Sequence, residues 1–425
     1  MSSSFSRFTL QNRMNVLIVP MSGTQTTSLF VFCKVGSRSE SASINGASHF
    51  LEHLMFKGTT RRPSTLHISQ ELESLGAEFN AFTSKEFTGY YIKSPAKHFP
   101  HTADILGDML FHSVFDAKEI QRERQVIIQE IHMYEENPMM HIEDLFERGA
   151  FSGFSLGMSI AGPASVIERV PRGKLLGHKK SFYDPANMIC VVAGRISPSV
   201  RKIVKQVFGA EKNSRKRFAP ITPAHFVPRQ VRVQKKKTEQ SQIALGFEGF
   251  DYNHKDAATL EVLNSILGGG MSSRLFIQVR ERLGLCYHIK SETSSYEDTG
   301  LIAIYAGVSS QRVKEAAHAI QEEITKIHNK KVTEEELGRA KEYLKGKLIM
   351  QMEASERVAQ WYGLEQLFMH KVKTPSERLA EIQRVTSEDI LRIAKQVFKE
   401  GEWSAAGIGP FTEAQLKVLF SPPKR

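Results

Sequence analysis

Two histidines and a glutamate fall within five consecutive residues of this 425-residue chain, in the run His49-Phe50-Leu51-Glu52-His53. Histidines four residues apart lie on the same face of an α-helix, so both imidazoles can reach one zinc ion. Glu52 lies beside them and can act as a base on a zinc-bound water. The order His-x-x-Glu-His therefore predicts the site of a zinc hydrolase.

Two histidines leave a zinc site incomplete, and an acidic helix later in the chain offers two candidates for the third ligand. The pattern predicts a helix over 117–133, on which Glu123 and Glu130 lie seven residues, or two turns, apart on one face. One carboxylate can bind the metal while the other orients a ligand histidine or the first carboxylate. The spacing alone leaves open which glutamate has which role.

The segment 48–59, with the sequence SHFLEHLMFKGT, resembles the signature of the pitrilysin-type (M16) zinc metallopeptidases. That family places its third zinc ligand on a Glu-x6-Glu helix, a pattern that residues 123–130 match. The resemblance implies one zinc ion per chain and a catalytic set of five residues. In that set the zinc ligands are His49, His53 and Glu130, and the general base is Glu52. Glu123 is an acid that contacts a ligand but does not itself bind the zinc.

Other stretches resemble the same family, namely GSRSE at 36–40, NAFTS at 80–84 and LFIQVRERLGLCY at 275–287. The resemblance implies that Asn80 and Ala81 lie on an edge strand, where an extended peptide adds as a further strand through its main chain. It also implies that Arg280 and Tyr287 close over the substrate from a second domain. The tyrosine would stabilise the oxyanion of the tetrahedral intermediate.

The two halves of the chain are weakly similar at an offset of 211 residues. The strand-like run TGYYI from Thr88 and the run TGLIAI from Thr299 each lead into a helical stretch. At this offset the first-half residues His49, Glu52 and His53 correspond to Leu260, Leu263 and Asn264. The second half therefore lacks the metal ligands and is expected to be catalytically silent.

Strand and helix patterns alternate in both halves of the sequence. Strands are predicted over 16–19, 28–34 and 89–93, and helices over 48–56, 64–75, 101–111 and 117–133. This mixture predicts an α+β fold with two similar domains, each a mainly antiparallel sheet with helices on one face. The resemblance implies the fold of the M16 and processing peptidases.

A basic segment near the midpoint sets the predicted domain boundaries. Residues 212–237 contribute +9 of the formal net charge of +11 and include three prolines. The prediction is a zinc-binding domain at 1–211, a basic linker at 212–237 and a domain without metal ligands at 238–425. A basic segment can also bind nucleic acid, but no aromatic residues alternate with these charges, so no nucleic-acid partner is expected.

The predicted function is that of a zinc-dependent endopeptidase which hydrolyses peptides or unfolded protein segments in a closed chamber. The resemblance implies that two chains form the chamber, as a homodimer or as a heterodimer with an M16 paralogue. Two alternatives are a non-catalytic M16-like structural subunit and, less favoured, a basic nucleic-acid-binding protein.

The same sequence also bears on the location of the protein. It contains three widely spaced cysteines, and we find no secretory signal and no apolar run of membrane-spanning length. The prediction is a cytoplasmic protein of bacterial type without membrane contact, with the mitochondrial matrix less favoured.

Overall fold

A computed structural model describes residues 5–213, 218 and 221–421 of the chain. The described residues divide into two compact units. The first unit contains the residues up to Ile131 together with Met158–Ile221 and Ile349–Ser376. The second contains His132–Gly157, Thr222–Leu348 and the residues from Glu377 onward.

Eleven strands form two sheets among the described residues. In chain order the strands are β1 (Ser6–Thr9), β2 (Asn15–Pro20), β3 (Thr26–Cys33), β4 (Glu78–Thr83), β5 (Thr88–Pro95), β6 (Met188–Gly194), β7 (Val231–Lys235), β8 (Gln240–Glu248), β9 (Cys286–Ser295), β10 (Gly300–Ser309) and β11 (Trp403–Gly409). The order in the first sheet is β1-β2-β6-β3-β5-β4, and in the second it is β7-β11-β8-β10-β9.

Fifteen α-helices surround these sheets within the described part of the chain. They are α1 (Ala47–Leu54), α2 (Thr65–Ser74), α3 (Phe99–His112), α4 (Ala117–Glu136), α5 (Pro138–Ala150), α6 (Ala164–Ile167), α7 (Arg172–Phe182), α8 (Val200–Phe208), α9 (Ala257–Gly268), α10 (Val313–Asn329), α11 (Glu334–Gln351), α12 (Ser355–Phe368), α13 (Pro375–Arg384), α14 (Ser387–Val397) and α15 (Glu413–Phe420). A short π-helix covers Phe276–Arg282. No helix in this set is long and apolar enough to cross a membrane.

Each unit has its own sheet, and the second sheet repeats five strands of the first in the same arrangement. In each sheet one pair is parallel, β2 with β6 and β7 with β11, and the other pairs are antiparallel. The expected α+β fold with two similar, mainly antiparallel halves is therefore confirmed.

Both faces of the first sheet are buried. Successive side chains along a strand point to opposite faces, and in this sheet apolar side chains lie on both faces. Val16 and Ile18 of β2 belong to the core that also holds α1 and α3, whereas Leu17 and Val19 face α12. Helix α12 lies so close that a Cβ on Gly363 would be 2.1 Å from a ring carbon of Phe32. Among the described helices, α1 and α3 thus lie on one face of the sheet and α12 on the other.

The units differ in two ways from the predicted boundaries of 1–211, 212–237 and 238–425. Residues 132–157 group with the second unit, where α5 packs on β8 and β11, and residues 349–376 group with the first. Part of the expected linker is the strand β7, which pairs with β11. The linker residues Arg215, Lys216, Arg217 and Pro220 lie outside the described residues.

The predicted strands and helices of the first half are confirmed. The strands at 16–19, 28–34 and 89–93 correspond to β2, β3 and β5, and the four helices correspond to α1 to α4. The residues at the predicted offset, Leu260, Leu263 and Asn264, lie on α9, the first helix after β8. Helix α1 is likewise the first α-helix after β3.

Candidate metal centre

Helix α1 carries the histidine motif and is packed on one side by the core. Phe50, Leu51 and Leu54 are buried in the cluster that also contains the inner face of the sheet. This packing leaves Glu52 and His53 partly exposed on the other side of the helix. The helix has only eight residues, so most of its stability must come from these contacts and from its caps.

The start of α1 requires a glycine and is capped by a residue from the preceding loop. Gly46 has a φ of +96°, and a Cβ there would be 2.4 Å from the carbonyl oxygen of Ala161. The buried carboxylate of Glu40 accepts hydrogen bonds from the backbone N–H groups of Gly46 and Ser48, both at 2.6 Å. These two bonds satisfy donors that the first turn of a helix leaves free.

The predicted zinc ligands lie together in the first unit. His49 Nε2 is 3.3 Å from His53 Nε2 and 3.7 Å from Glu130 Oε2, and His53 Nε2 is 3.5 Å from the same oxygen. Zinc–ligand bonds of about 2.0–2.1 Å in a tetrahedron place neighbouring ligand atoms about 3.3 Å apart. The three side chains therefore fit a zinc ion, and they are the one such group among the described residues.

Glu123 lies directly behind the ligand His53. Its Oε1 is 2.8 Å from His53 Nδ1, and its Oε2 is 2.6 Å from Lys57 Nζ. A carboxylate can only accept, so Nδ1 carries the hydrogen and the neutral ring keeps its lone pair on Nε2, which faces the other two ligands. Burial raises the pKa of Glu123, but the hydrogen bonds from His53 and Lys57 outweigh it and the pKa is lowered.

The surroundings of the two histidines shift their pKa values in opposite directions. Burial, with a smaller effect of the charge on His53, lowers the pKa of His49 to about 3. This imidazole is therefore neutral near pH 7, the form that binds zinc. Burial also opposes a charge on His53, but the hydrogen bond to Glu123 and the nearby carboxylates raise its pKa.

Glu52, the expected general base, is held by Thr83 at the end of β4. The Thr83 hydroxyl donates to Oε2 of Glu52 at 2.6 Å. Burial raises the pKa of Glu52, while this hydrogen bond acts in the opposite direction. A carboxylate with a raised pKa is better suited to accept a proton near neutral pH than a fully solvated one.

Asn80 and Ala81 lie on β4, the last strand of the first sheet. Strand β4 pairs with β5 on one side, and in the described sheet no strand pairs with its other side. Asn80 is exposed, and its Oδ1 accepts a hydrogen bond from the N–H of Ala81 at 2.9 Å. The two residues thus lie on an edge strand, as expected.

Arg280 and Tyr287 belong to the second unit and contact each other. The guanidinium of Arg280 lies 5.6 Å from the ring centre of Tyr287 and 4.6 Å from that of Phe276. Arg280 is part of the π-helix, and Tyr287 on β9 has 74% of its surface exposed. Such π-helical turns are frequent at functional sites.

The sequence predicted no role for three residues that contact the site. They are Glu40, which caps α1, Lys57, which bonds to Glu123, and Thr83, which bonds to Glu52. Lys57 lies beyond the end of α1, so helical spacing does not indicate its contact with Glu123. Glu40 and Thr83 are brought to α1 by tertiary packing, for which the sequence contains no local signal.

Two family models match the chain, and between them they cover most of it. Residues 15–164 match the model described as Insulinase (Peptidase family M16). Residues 169–344 match the model described as Peptidase M16 inactive domain. The second match includes α9, which carries Leu260, Leu263 and Asn264, the residues predicted to correspond to the motif.

Full-length relatives carry names of the same kind. The chain is 36% identical over 404 residues to an uncharacterized zinc protease, YmxG, of Bacillus subtilis (strain 168), covering 95% of this chain and 98% of that protein. It is 31% identical over 402 residues to the mitochondrial-processing peptidase subunit beta of Bos taurus, covering 92% of this chain and 82% of that protein.

A solved structure shows the same fold. The crystal structure of a protease from Helicobacter pylori matches with a TM-score of 0.90 at 23% identity, and the match covers 96% of this chain and all of that one.

Proposed function

The chain belongs to the M16 family of peptidases, and on that basis we propose that it is a zinc-dependent endopeptidase that cleaves peptides or unfolded protein segments. The observation that carries the proposal is the triangle of His49 Nε2, His53 Nε2 and Glu130 Oε2, with edges of 3.3 to 3.7 Å. The names of the relatives, which call them zinc proteases, support zinc as the metal.

Zinc in this triangle would supply a Lewis acid that polarises the scissile carbonyl and lowers the pKa of a water. The residues of the chain perform the remaining tasks. Glu123 holds His53 in the tautomer that leaves Nε2 free, through the 2.8 Å contact with Nδ1. Glu52 accepts the proton of the attacking water and then passes it to the leaving amine.

The substrate is proposed to bind as an added strand on β4. An edge strand such as β4 leaves alternate N–H and C=O groups without a strand partner, and main-chain pairing makes little demand on the substrate sequence. This mode requires an extended peptide, so unfolded segments are favoured over folded proteins. Arg280 and Tyr287 are proposed to contact the bound peptide, with Tyr287 stabilising the oxyanion.

The reaction is proposed to take place in a closed chamber formed by two chains, most simply a homodimer. The chain carries both the zinc ligands and the pair Arg280 and Tyr287, so a second copy would supply every part that the proposal needs. A location in the bacterial cytoplasm and the absence of a nucleic-acid partner stay predictions from the sequence.

The alternative is a structural subunit without activity, and the donor set argues against it. A site that had lost its activity would not need a ligand triangle, a carboxylate hydrogen-bonded to His53 and a partly buried glutamate beside the histidines. All three features are present here.

The test is cleavage of unstructured peptides whose termini are blocked by acetylation and amidation. We expect internal cleavage, its loss on treatment with a zinc chelator, and its return when zinc is added. Blocked peptides exclude an exopeptidase, and the same sequences within a folded protein should resist cleavage. A zinc-loaded chain that cleaves no member of a broad peptide library would contradict the proposal and favour the structural subunit.

A further inference from the structure

Thr83 is the last residue of β4, and its hydroxyl reaches the proposed general base. The hydroxyl donates to Oε2 of Glu52 at 2.6 Å, a distance typical of a strong hydrogen bond to a carboxylate. One oxygen of Glu52 is therefore occupied by Thr83. The other oxygen, Oε1, has no protein partner of this kind among the described hydrogen bonds and can take a proton.

The backbone around Thr83 is fixed from two sides. Thr83 pairs with Thr88 in the antiparallel ladder of β4 and β5. The turn between these strands is closed by a hydrogen bond from Ser84 N to Phe87 O at 2.8 Å. Thr83 thus projects its hydroxyl from a rigid strand end, so the direction of the hydrogen bond is set by the sheet.

The loop that precedes α1 contacts both the turn after Thr83 and the helix that carries Glu52. Arg38 N donates to Lys85 O at 2.8 Å, and the Arg38 side chain forms a buried ion pair with Glu86 at 2.6 Å. Two residues later, Glu40 caps the helix that carries Glu52. The loop 36–40 therefore fixes the turn after Thr83 and the helix of Glu52 relative to each other.

We propose that Thr83 is a positioning residue for the general base, which holds the carboxylate of Glu52 so that Oε1 receives the proton of the attacking water. This inference rests on the proposed function, in which Glu52 is the base. It adds that the strand which binds the substrate, β4, also orients the carboxylate that acts on it. Thr83 itself does not contact the reacting atoms.

The experiment compares Thr83→Val and Thr83→Ser with the wild type. Valine keeps the branched shape of threonine and removes the hydroxyl, whereas serine keeps the hydroxyl. A hydrogen bond to a charged group corresponds to about a 10- to 100-fold change in rate when it is made in the transition state. We expect Thr83→Val to lower kcat by about this factor with KM within about twofold, and Thr83→Ser to restore most of kcat.

Thr88→Val is the matched control, because Thr88 is the ladder partner of Thr83 and donates to the carbonyl oxygen of Val35 instead. It should cost stability but leave kcat near the wild-type value. Zinc content, measured in every variant, should stay at the wild-type level, since the hydroxyl of Thr83 bonds to Glu52 and not to a zinc ligand. If Thr83→Val fails to fold, Thr83→Ala allows the same comparison.

Several results would overturn the inference. One is a Thr83→Val variant with wild-type kcat, and another is a raised KM at unchanged kcat, which would make Thr83 a substrate contact. A third is a Thr83→Ser variant as slow as Thr83→Val, which would assign the effect to packing. A zinc-loaded wild type that cleaves no peptide would overturn the proposed function and this inference with it, so the two failures can be told apart.

Discussion

The two oxygens of Glu123 have different partners, and this division fixes the carboxylate behind His53. Oε1 accepts from the imidazole, and Oε2 contacts the ammonium group of Lys57. Because each oxygen is engaged, the carboxylate cannot rotate without losing a hydrogen bond. The orientation of His53 toward His49 and Glu130 is thus determined by a residue outside the predicted ligand set.

At this scale the first prediction concerns Glu123→Gln. The amide can still accept from His53, but its NH2 group then faces Lys57, so the side chain is no longer held. We expect zinc affinity to fall by about 10- to 100-fold, as is typical when the hydrogen-bond partner of a ligand histidine is lost. Competition with a chromogenic chelator measures the affinity.

Glu119→Gln is the control on the same helix, since Glu119 pairs with Arg122 rather than with a ligand. Its zinc affinity should equal that of the wild type. Wild-type affinity in Glu123→Gln as well would show that the carboxylate does not support the site.

At the scale of single elements, the eight-residue helix α1 depends on Glu40. Removing that carboxylate leaves the N–H groups of Gly46 and Ser48 buried without their acceptor. We expect Glu40→Ala to lower the free energy of unfolding by about 2–4 kcal/mol, since hydrogen bonds to charged groups contribute about 1.5–3 kcal/mol each. Urea denaturation measures the change.

The matched control for this helix cap is Glu78→Ala. Glu78 is an exposed glutamate on β4 whose contact with Lys93 is 3.4 Å long. Its loss should change the free energy of unfolding by less than about 0.5 kcal/mol. Equal effects of the two substitutions would mean that Glu40 does not cap the helix in solution.

A buried histidine connects α1 with α7 and predicts a pH dependence. Ser48 Oγ lies 2.9 Å from His178 Nε2, and burial lowers the pKa of His178 to about 4. In the unfolded chain the pKa is about 6.5. The unfolded state therefore binds the proton first, so this contribution to stability is complete above about pH 6.5 and is lost as the pH falls toward 4.

We expect the melting temperature of the metal-free protein to fall less between pH 7.5 and pH 4.5 in His178→Gln than in the wild type. Metal-free protein is used in all samples so that loss of zinc does not contribute. The exposed His318 provides the control, because His318→Gln should retain the full wild-type dependence. An unchanged slope in His178→Gln would contradict the prediction.

The elements show which parts of the fold can be predicted from sequence. The helices of the zinc site were predictable because α1 and α4 carry periodic apolar residues and the ligands have helical spacing. The strand β7 was missed because the charges of Arg232 and Lys235 dominate a segment in which Val231 and Val233 alternate with polar residues. The alternation was the better indicator, since Val231 and Val233 face the hydrophobic core of the second unit.

The position of α12 was not predictable in the same way. Its apolar face shows that the helix packs on another element but not on which sheet. Its partners in the first sheet are far away in sequence, and Ser28 and Ser355, for example, are 327 residues apart. The continuous apolar runs of β3 and β6 fit a sheet that is covered on both faces, whereas the sequence predicted helices on one face. The identity of the covering helix depends on the tertiary structure alone.

At the scale of the whole molecule, a repeated fold carries one candidate metal site within the part of the chain that the structure describes. The second unit repeats the strand order of the first, but α9 carries Leu260, Leu263 and Asn264 where α1 carries the motif. Leu260 and Leu263 are buried in the core of the second unit. The second unit has thus turned the positions of ligand and base into apolar packing, so one zinc ion per chain is expected.

The central claim is that Glu52 performs catalysis while His49, His53 and Glu130 hold zinc, and Glu52→Gln separates the two tasks. The measurement is zinc content together with kcat/KM on one blocked peptide, for the wild type and the variant. We expect one zinc ion per chain in both proteins and a fall in kcat/KM of about 10²- to 10⁴-fold in the variant. Wild-type turnover by a zinc-loaded Glu52→Gln variant would contradict the account.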